Sequence, residues 1–378
     1  MAKIIVLGAG RVGSAMALDL SQRHRVTAAD ISTTALSTLE RNNLRTLPLD
    51  VTDPVALAGE AKNHDLVINA VPGFLGFQTL KQVLELGCHV VDISFFPEDP
   101  LPLAELAKKH AAIAVVDMGV APGLSNIILG HYDQHLQIDR FRCLVGGLPK
   151  QRLWPFQYKA PFSPIDVIEE YTRPARLMVN GEILIKPALS DCELVSIENI
   201  GTLEAFNTDG LRSLLSTMPH IPQMEEKTLR YPGHANLINA LIKGGFFDST
   251  PLPGQAMSPL QFTSQILEKQ WQLDAEEVEF TVLQVEMSGT SKTPTPVATQ
   301  VSAFLYDEYD PQSGISSMAR TTGYTCCATA ELILQDYLTH PGLYAPEHIG
   351  AQPRCYEFLF KYLQERQVTV RFQRQVLE

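Results

Sequence analysis

The stretch Lys3-Ile4-Ile5-Val6-Leu7-Gly8-Ala9-Gly10-Arg11-Val12-Gly13 decides the fold. Ile4 to Leu7 is a short apolar run that predicts a strand. Gly8, Gly10 and Gly13 follow with GxGxxG spacing, and a helical pattern runs from Val12 to Leu20. Alone the spacing is a weak signal. Between a strand and a helix, with an acidic residue further on, it marks a dinucleotide-binding unit. Gly8 permits the tight turn, Gly10 lets backbone approach a pyrophosphate, and Gly13 lets the helix pack close to the sheet. Arg11 and Val12 complete the loop. The helix N-terminus then offers free N–H groups and partial positive charge to the phosphates. Asp30 lies seventeen residues after Gly13, at the end of the second strand signal, Val26 to Ala29. A carboxylate there accepts hydrogen bonds from ribose hydroxyls and repels a 2′-phosphate. No arginine or lysine lies between Ala28 and Glu40, so the expected cofactor is NAD rather than NADP.

The alternation continues. Strand signals at Leu44 to Leu49, Asp65 to Val71, His89 to Ile93 and Ala111 to Val116 are separated by helical patterns. Thr52-Asp53-Pro54 reads as a helix start, a capping side chain before proline in the first turn. This rhythm predicts an α/β fold, a Rossmann-type doubly wound parallel sheet. Ligands in such sheets bind beyond the carboxyl ends of the strands. Asp50 and Val51 are placed to flank the adenine, and Asn69, Ala70, Val71 and Pro72 to line the nicotinamide ribose. Met118 joins this set. Asp92 and Asp117 lie nearest the point of hydride transfer. Each aspartate alone is more often a cap than a catalyst.

After Gly123 the rhythm changes. Phe141 to Val145 reads as strand. Leu177 to Val179 and Ile183 to Ile185 flank Asn180-Gly181, a strong hairpin signal because both residues tolerate positive φ. Glu279 to Met287 and Val297 to Tyr306 read as another pair. These segments predict an inserted α+β domain with a mixed or antiparallel sheet. Helical patterns return at Tyr324 to Leu338 and Pro353 to Glu365. The expected division is 1–123 for cofactor binding, 124–310 for substrate binding and dimerisation, and 311–378 for helices returning to the first domain. Three polar clusters in the inserted region read as loops: Tyr158-Lys159, Asn207 to Gly210, and Thr228 to His234.

The 378 residues carry 45% hydrophobic and 19% charged residues, and the formal net charge is −12. That excludes a disordered chain and argues against nucleic acid or anionic lipid as partner. A small molecule or a second copy is the expected partner. Six cysteines lie outside any zinc-site or CxxC spacing, so no metal is expected. Cys326-Cys327 read as small helix residues. The apolar runs fall short of the ~18–20 residues that span a bilayer, and no leader pattern precedes the strand at Lys3, so a cytoplasmic protein is expected.

The segments VINAVPGF (67–74), VVDISF (90–95), DMGVAPG (117–123), YKAPFSP (158–164), FNTDGLRSL (206–214), KTLRYPGH (227–234) and MARTTGY (318–324) resemble the saccharopine dehydrogenase-like superfamily, in particular its L-lysine 6-dehydrogenase branch. The resemblance covers almost the whole chain. It implies a Rossmann domain, an inserted substrate-binding domain that makes a homodimer, and NAD-dependent oxidation of the lysine ε-amine to 2-aminoadipate 6-semialdehyde with release of ammonia. Saccharopine dehydrogenase-type and carboxynorspermidine dehydrogenase-type oxidoreductases are the alternatives. The saccharopine branch carries an arginine where this chain has Thr208, a departure that weakens that alternative.

Under that implied chemistry, hydride leaves the ε-carbon only from a neutral amine, whose free pKa is about 10.4. A base or a neighbouring cation is needed. Lys159 leads the candidates, followed by Asp117 and Asp92. Arg230 and Asp209 suit the carboxylate and ammonium of an amino acid, with Tyr158 and Tyr231 adding hydrogen bonds. A non-catalytic NAD-bound scaffold is the reading from another class.

Overall fold

A computed structural model of the chain describes residues 1–274 and 277–377. The first strands are β1 (Lys3–Leu7), β2 (Arg25–Asp30), β3 (Arg45–Pro48), β4 (Leu66–Asn69), β5 (Val90–Asp92) and β6 (Ile113–Val115). Between and after them run α1 (Arg11–Ser21), α2 (Thr33–Glu40), α3 (Pro54–Ala61), α4 (Gly73–Glu85), α5 (Ala104–Lys109) and α6 (Leu124–Asp133). The middle of the chain forms β7 (Leu136–Pro149), α7 (Pro164–Thr172), β8 (Ala175–Val179), β9 (Glu182–Lys186), β10 (Glu193–Ile197) and β11 (Gly201–Asn207). It continues with α8 (Leu214–Thr217), β12 (Gln223–Arg230), α9 (His234–Lys243) and α10 (Pro259–Trp271). The remainder is β13 (Glu279–Ser291), β14 (Ala298–Glu308), α11 (Ser317–Leu334), β15 (Gly342–Tyr344), α12 (Pro346–Gly350), α13 (Pro353–Glu365) and β16 (Val370–Val376).

The chain divides into two units. The first holds Met1–Ile138, Met287–Ala303 and Met318–Glu378; the second holds Asp139–Glu286 and Phe304–Ser317. These bounds differ from the expected 124–310 insertion. Residues 124–138 and 287–303 fall in the first unit, and 311–317 in the second. The reason is that β7, β13 and β14 are long strands that cross the bounds, whereas the sequence cues mark only turns.

In the first unit the sheet order is β15-β6-β5-β4-β1-β2-β3, and every pair is parallel. Ile4, Ile5, Val6 and Leu7 are fully buried. A strand covered on both faces reads as a continuous apolar run, which is why these segments were legible. Each buried side chain contributes about 1.5–3 kcal/mol. The start of α3 follows the expected form: Asp53 Oδ1 accepts from the N–H groups of Val55 and Ala56, with Pro54 in the first turn. Cys326 and Cys327 are buried, unpaired residues of α11.

In the second unit β8 and β9 form the expected hairpin. Asn180 and Gly181 both hold positive φ, 53° and 79°, and Val179 pairs with Glu182. The sheet is mixed, because β12 runs parallel to β7 and antiparallel to β8 and β11. Two expected loops are corrected here. Asn207 ends β11, and Thr228, Leu229 and Arg230 end β12. Polar composition suggested loops, but in β12 the charged side chains are buried against partners from distant segments.

Candidate active site

At the carboxyl ends of the first sheet the glycine loop has the form its sequence requires. Gly8 holds φ 102°, and a Cβ there would lie 2.4 Å from the Ala70 carbonyl oxygen. A Cβ on Gly13 would lie 2.0 Å from the Gly8 carbonyl oxygen. Gly10 is different: it precedes α1, carries no capping side chain, and a Cβ there would meet nothing within 4 Å. Gly10 thus leaves room beside the start of the helix, whose first turn holds Arg11 and Val12. That arrangement fits a pyrophosphate. Asp30 ends β2. Its Oδ2 accepts from Ala9 N–H at 2.6 Å and its Oδ1 from Ser32 N–H at 2.7 Å, so the carboxylate ties the glycine loop to the turn after β2.

The other strand ends cluster in order. Asp50 accepts from the Thr52 N–H at 2.9 Å and the Thr52 hydroxyl at 2.7 Å, with Val51 between them. Asn69 ends β4, and Ala70, Val71 and Pro72 lead into α4. The Asn69 amide donates to Asp92 and to the Gly76 carbonyl. Asp92 also accepts from Ser94 N–H at 2.7 Å, and the Met118 N–H donates to its backbone carbonyl. Asp117 is buried and holds φ 56°, a left-handed conformation unusual for a residue with a side chain. Asp92 therefore organises the strand ends.

The second unit places Tyr158 and Arg230 in one buried polar network. Glu226, Thr228 and Arg230 alternate along one face of β12. Arg230 is 3% exposed. Its Nε donates to the Tyr171 hydroxyl at 2.8 Å, and its Nη2 donates to Glu170 at 3.2 Å and to the Tyr158 hydroxyl at 3.4 Å. The guanidinium carbon lies 4.4 Å from the centre of the Tyr158 ring. Burial opposes its charge, but Tyr158, Tyr171 and Glu170 together raise its pKa. His234 opens α9. Its Nδ1–H donates to the Phe156 carbonyl at 2.9 Å, which leaves Nε2 to accept from the Tyr171 hydroxyl at 3.0 Å. Burial, reinforced by Arg230, pushes the His234 pKa down to about 3, so the ring is neutral. Burial pushes the Glu226 carboxyl up to about 8.

Asp209 and Arg230, expected to take the ammonium and the carboxylate of an amino acid, each have protein partners of their own. Asp209 takes both arms of Arg176, each at 2.8 Å, while Arg230 is held by Glu170 and the two tyrosines. Lys159 donates to the Gln272 carbonyl at 2.9 Å and lies 3.6 Å from Glu277. Tyr231 donates to the Pro149 carbonyl at 2.9 Å. Sequence reasoning missed Glu170, Tyr171, Arg176 and Glu226. The period-two spacing of Glu226, Thr228 and Arg230 is the signal that would have marked Glu226. Thr208 donates within this network, lying 2.7 Å from Glu226 and 2.8 Å from Thr228. Among the described residues no group of histidine, cysteine and carboxylate side chains is placed to hold a metal ion, and no helix is long and apolar enough to cross a membrane.

Two family models match the chain: the saccharopine dehydrogenase NADP binding domain over residues 4–115 and the saccharopine dehydrogenase C-terminal domain over residues 119–368. The chain is 26% identical over 269 residues to saccharopine dehydrogenase (NADP(+), L-glutamate-forming) of Schizosaccharomyces pombe, covering 66% of this chain and 59% of that one. It is 26% identical over 223 residues to alpha-aminoadipic semialdehyde synthase of Arabidopsis thaliana, covering 55% and 21%. The chain thus spans less than two thirds of either relative. Apo saccharopine dehydrogenase (L-Glu forming) of Saccharomyces cerevisiae superposes with a TM-score of 0.80 at 19% identity, covering 99% of this chain and 100% of that one. Homospermidine synthase of Legionella pneumophila, solved with NAD, gives 0.67 at 12%, covering 99% and 91%. At these identities the two structures establish the fold. The fold is α/β, a Rossmann-type parallel sheet with a second, mixed-sheet unit.

Proposed function

The chain belongs to the saccharopine dehydrogenase family, and from that premise we propose that it is a nicotinamide-dependent oxidoreductase acting on a saccharopine-type secondary amine. Its carbon–nitrogen bond is oxidised to an imine, water adds, and 2-aminoadipate 6-semialdehyde and glutamate leave. The observation that carries this reading is the set of guanidinium groups in the second unit. Arg173, Arg176 and Arg212 act electrostatically around Asp209 or one another, and Arg230 lies beside Glu170. A substrate with three carboxylates needs several cations, whereas free lysine needs one. A guanidinium has five donors, so a bond to one carboxylate leaves donors for another. Lysine 6-dehydrogenase is the second reading. It is favoured by Thr208, which stands where the saccharopine branch carries arginine and is bonded into the network instead.

The glycine loop, Asp30 and the strand ends from Asn69 to Met118 would hold the cofactor. When bound, the nicotinamide supplies the hydride acceptor. Asp30 supports NAD, although the matching family model is described by NADP binding. The proposal includes a cytoplasmic location, motivated by six cysteines that form no disulfide among the described residues. It also includes a homodimer. Strand β9 pairs only with β8 among the described residues, and its Ile183, Leu184 and Ile185 are exposed. Antiparallel self-pairing about Leu184 would set Glu182 opposite Lys186 of the partner subunit. The functional test compares initial rates for saccharopine, lysine, ornithine and a polyamine with each cofactor. Saccharopine should be used best. Turnover of lysine with ammonia as product, and none of saccharopine, would establish the second reading instead.

A further inference from the structure

Four side chains of the second unit form a continuous line. Glu226 Oε2 lies 2.7 Å from Thr208 Oγ1, Thr208 Oγ1 lies 2.8 Å from Thr228 Oγ1, and Thr228 Oγ1 bonds Glu170 Oε1. The β11–β12 register sets Phe206 opposite Thr228 and Asn207 opposite Lys227, which brings Thr208 alongside the Glu226–Thr228 face. These three oxygen–oxygen contacts need three hydrogens. The two hydroxyls supply two. The third must sit on a carboxyl oxygen.

Glu226 is its natural home. It is buried, and its Oε2 accepts from the Gly210 N–H at 3.1 Å. The charged groups that act on it are the carboxylates of Glu170 and Asp209, and both, like burial, favour its neutral form. Glu170 differs. It lies against the Arg230 guanidinium and its side chain is 15% exposed. The Tyr158 and Tyr171 hydroxyls face that same guanidinium. The line therefore has an interior acid at one end and a partly exposed carboxylate at the other.

We propose that this line is a proton relay, in which one proton moves between Glu226 and Glu170 through the hydroxyls of Thr208 and Thr228 and serves the substrate nitrogen. The stored proton stands on the geometry alone; its use on nitrogen rests on the amine-oxidising reading above. In imine reduction Glu226 gives its proton to Thr208, Thr208 gives its own to Thr228, and Thr228 gives its own to Glu170. Glu170 protonates the nitrogen, and a reduced nicotinamide, when bound, would supply the hydride that the carbon takes. The carbon–nitrogen π bond is lost, and one N–H and one C–H bond form. Amine oxidation runs the same transfers backward, and Glu226 ends protonated. Oxidation therefore needs an empty relay and reduction a loaded one. With the Glu226 carboxyl near 8, the oxidative rate should rise with pH through that region and the reductive rate should fall.

Infrared difference spectroscopy on the intact protein tests the store. A protonated carboxyl C=O band should be present at neutral pH, disappear on alkaline titration, and be absent in Glu226→Gln. Absence of the band in the unmutated protein overturns the proposal. Rate profiles test the relay. Thr228→Val should keep the band, lower turnover by ~10²-fold or more, and lose the rate dependence near pH 8. Thr228→Ser, which keeps the hydroxyl, should restore both. A Thr228→Val protein with the unmutated pH profile overturns the relay. If the band is present but no amine is oxidised, the functional reading fails and the stored proton stands.

Discussion

Asp30 offers the sharpest perturbation of cofactor choice. Its carboxylate sits at the end of β2, bonded to the N–H groups of Ala9 and Ser32 at 2.6 and 2.7 Å. A 2′-phosphate brought to that strand end adds one to two negative charges. At about 4 Å and an effective dielectric of about 20, each like-charge pair costs ~4 kcal/mol. Asp30 is partly exposed, so solvent removes part of this. A residual preference of about 2.7 kcal/mol is a ~100-fold advantage for NAD in kcat/KM. Asp30→Ser should do two things. It should lower NAD efficiency by ~10-fold or more, because a charge-assisted bond that orders the glycine loop is lost. It should also narrow the NAD-to-NADP gap without creating good NADP use, since no lysine or arginine stands between Ala28 and Glu40. The assay is steady-state kinetics of both proteins with both cofactors. Equal use of NADP by the unmutated protein would refute the reasoning.

Three further outcomes follow from the second unit. Arg230→Met removes one partner of a buried pair and leaves Glu170 without its cation; urea unfolding should record a loss of ~3–5 kcal/mol. His234 and Glu226 give opposite pH slopes to stability. His234 is held near 3 when folded and near 6.5 when unfolded, so the unfolded chain binds the extra proton and stability falls by up to ~1.4 kcal/mol per pH unit from 6.5 down to about 3. Glu226 is held near 8 when folded and near 4.5 when unfolded, so stability falls as pH rises from 4.5 to about 8; Glu226→Gln should remove that fall in unfolding measurements across this range. Leu184→Glu would place two carboxylates on the axis of the β9 pairing and should convert a dimer to a monomer in sedimentation velocity, whereas an unmutated protein that is already monomeric would exclude the pairing.

The parts of this molecule that were legible in its sequence are those set by local chemistry. The glycine loop, the Asp53-Pro54 helix start and the Asn180-Gly181 turn each depend on residues within a few positions of one another. Strand β12 was not legible. Its Glu-Glu-Lys-Thr-Leu-Arg run is too polar to read as a buried strand, because its charges are compensated from far along the chain. Arg230 meets Glu170 sixty residues earlier, and Asp209 meets Arg176 thirty-three residues earlier. Composition marked Tyr158, Asp209 and Arg230 as polar positions but not the side chains that hold them, such as Arg176 on Asp209 and Glu170 on Arg230. Only pairing within the mixed sheet decides which cation neutralises which carboxylate. The unit bounds were obscured for a related reason, since strands β7, β13 and β14 cross them without a turn.

The central claim is oxidation at the lysine-derived carbon of a secondary amine. Its most direct test uses saccharopine deuterated at the ε-carbon of its lysine portion, incubated with the protein and NAD, with products read by mass spectrometry. The account predicts deuterium in the reduced nicotinamide ring, with equal amounts of glutamate and 2-aminoadipate 6-semialdehyde. Reduced cofactor formed without deuterium, or no reduction with saccharopine while free lysine releases ammonia, would contradict it.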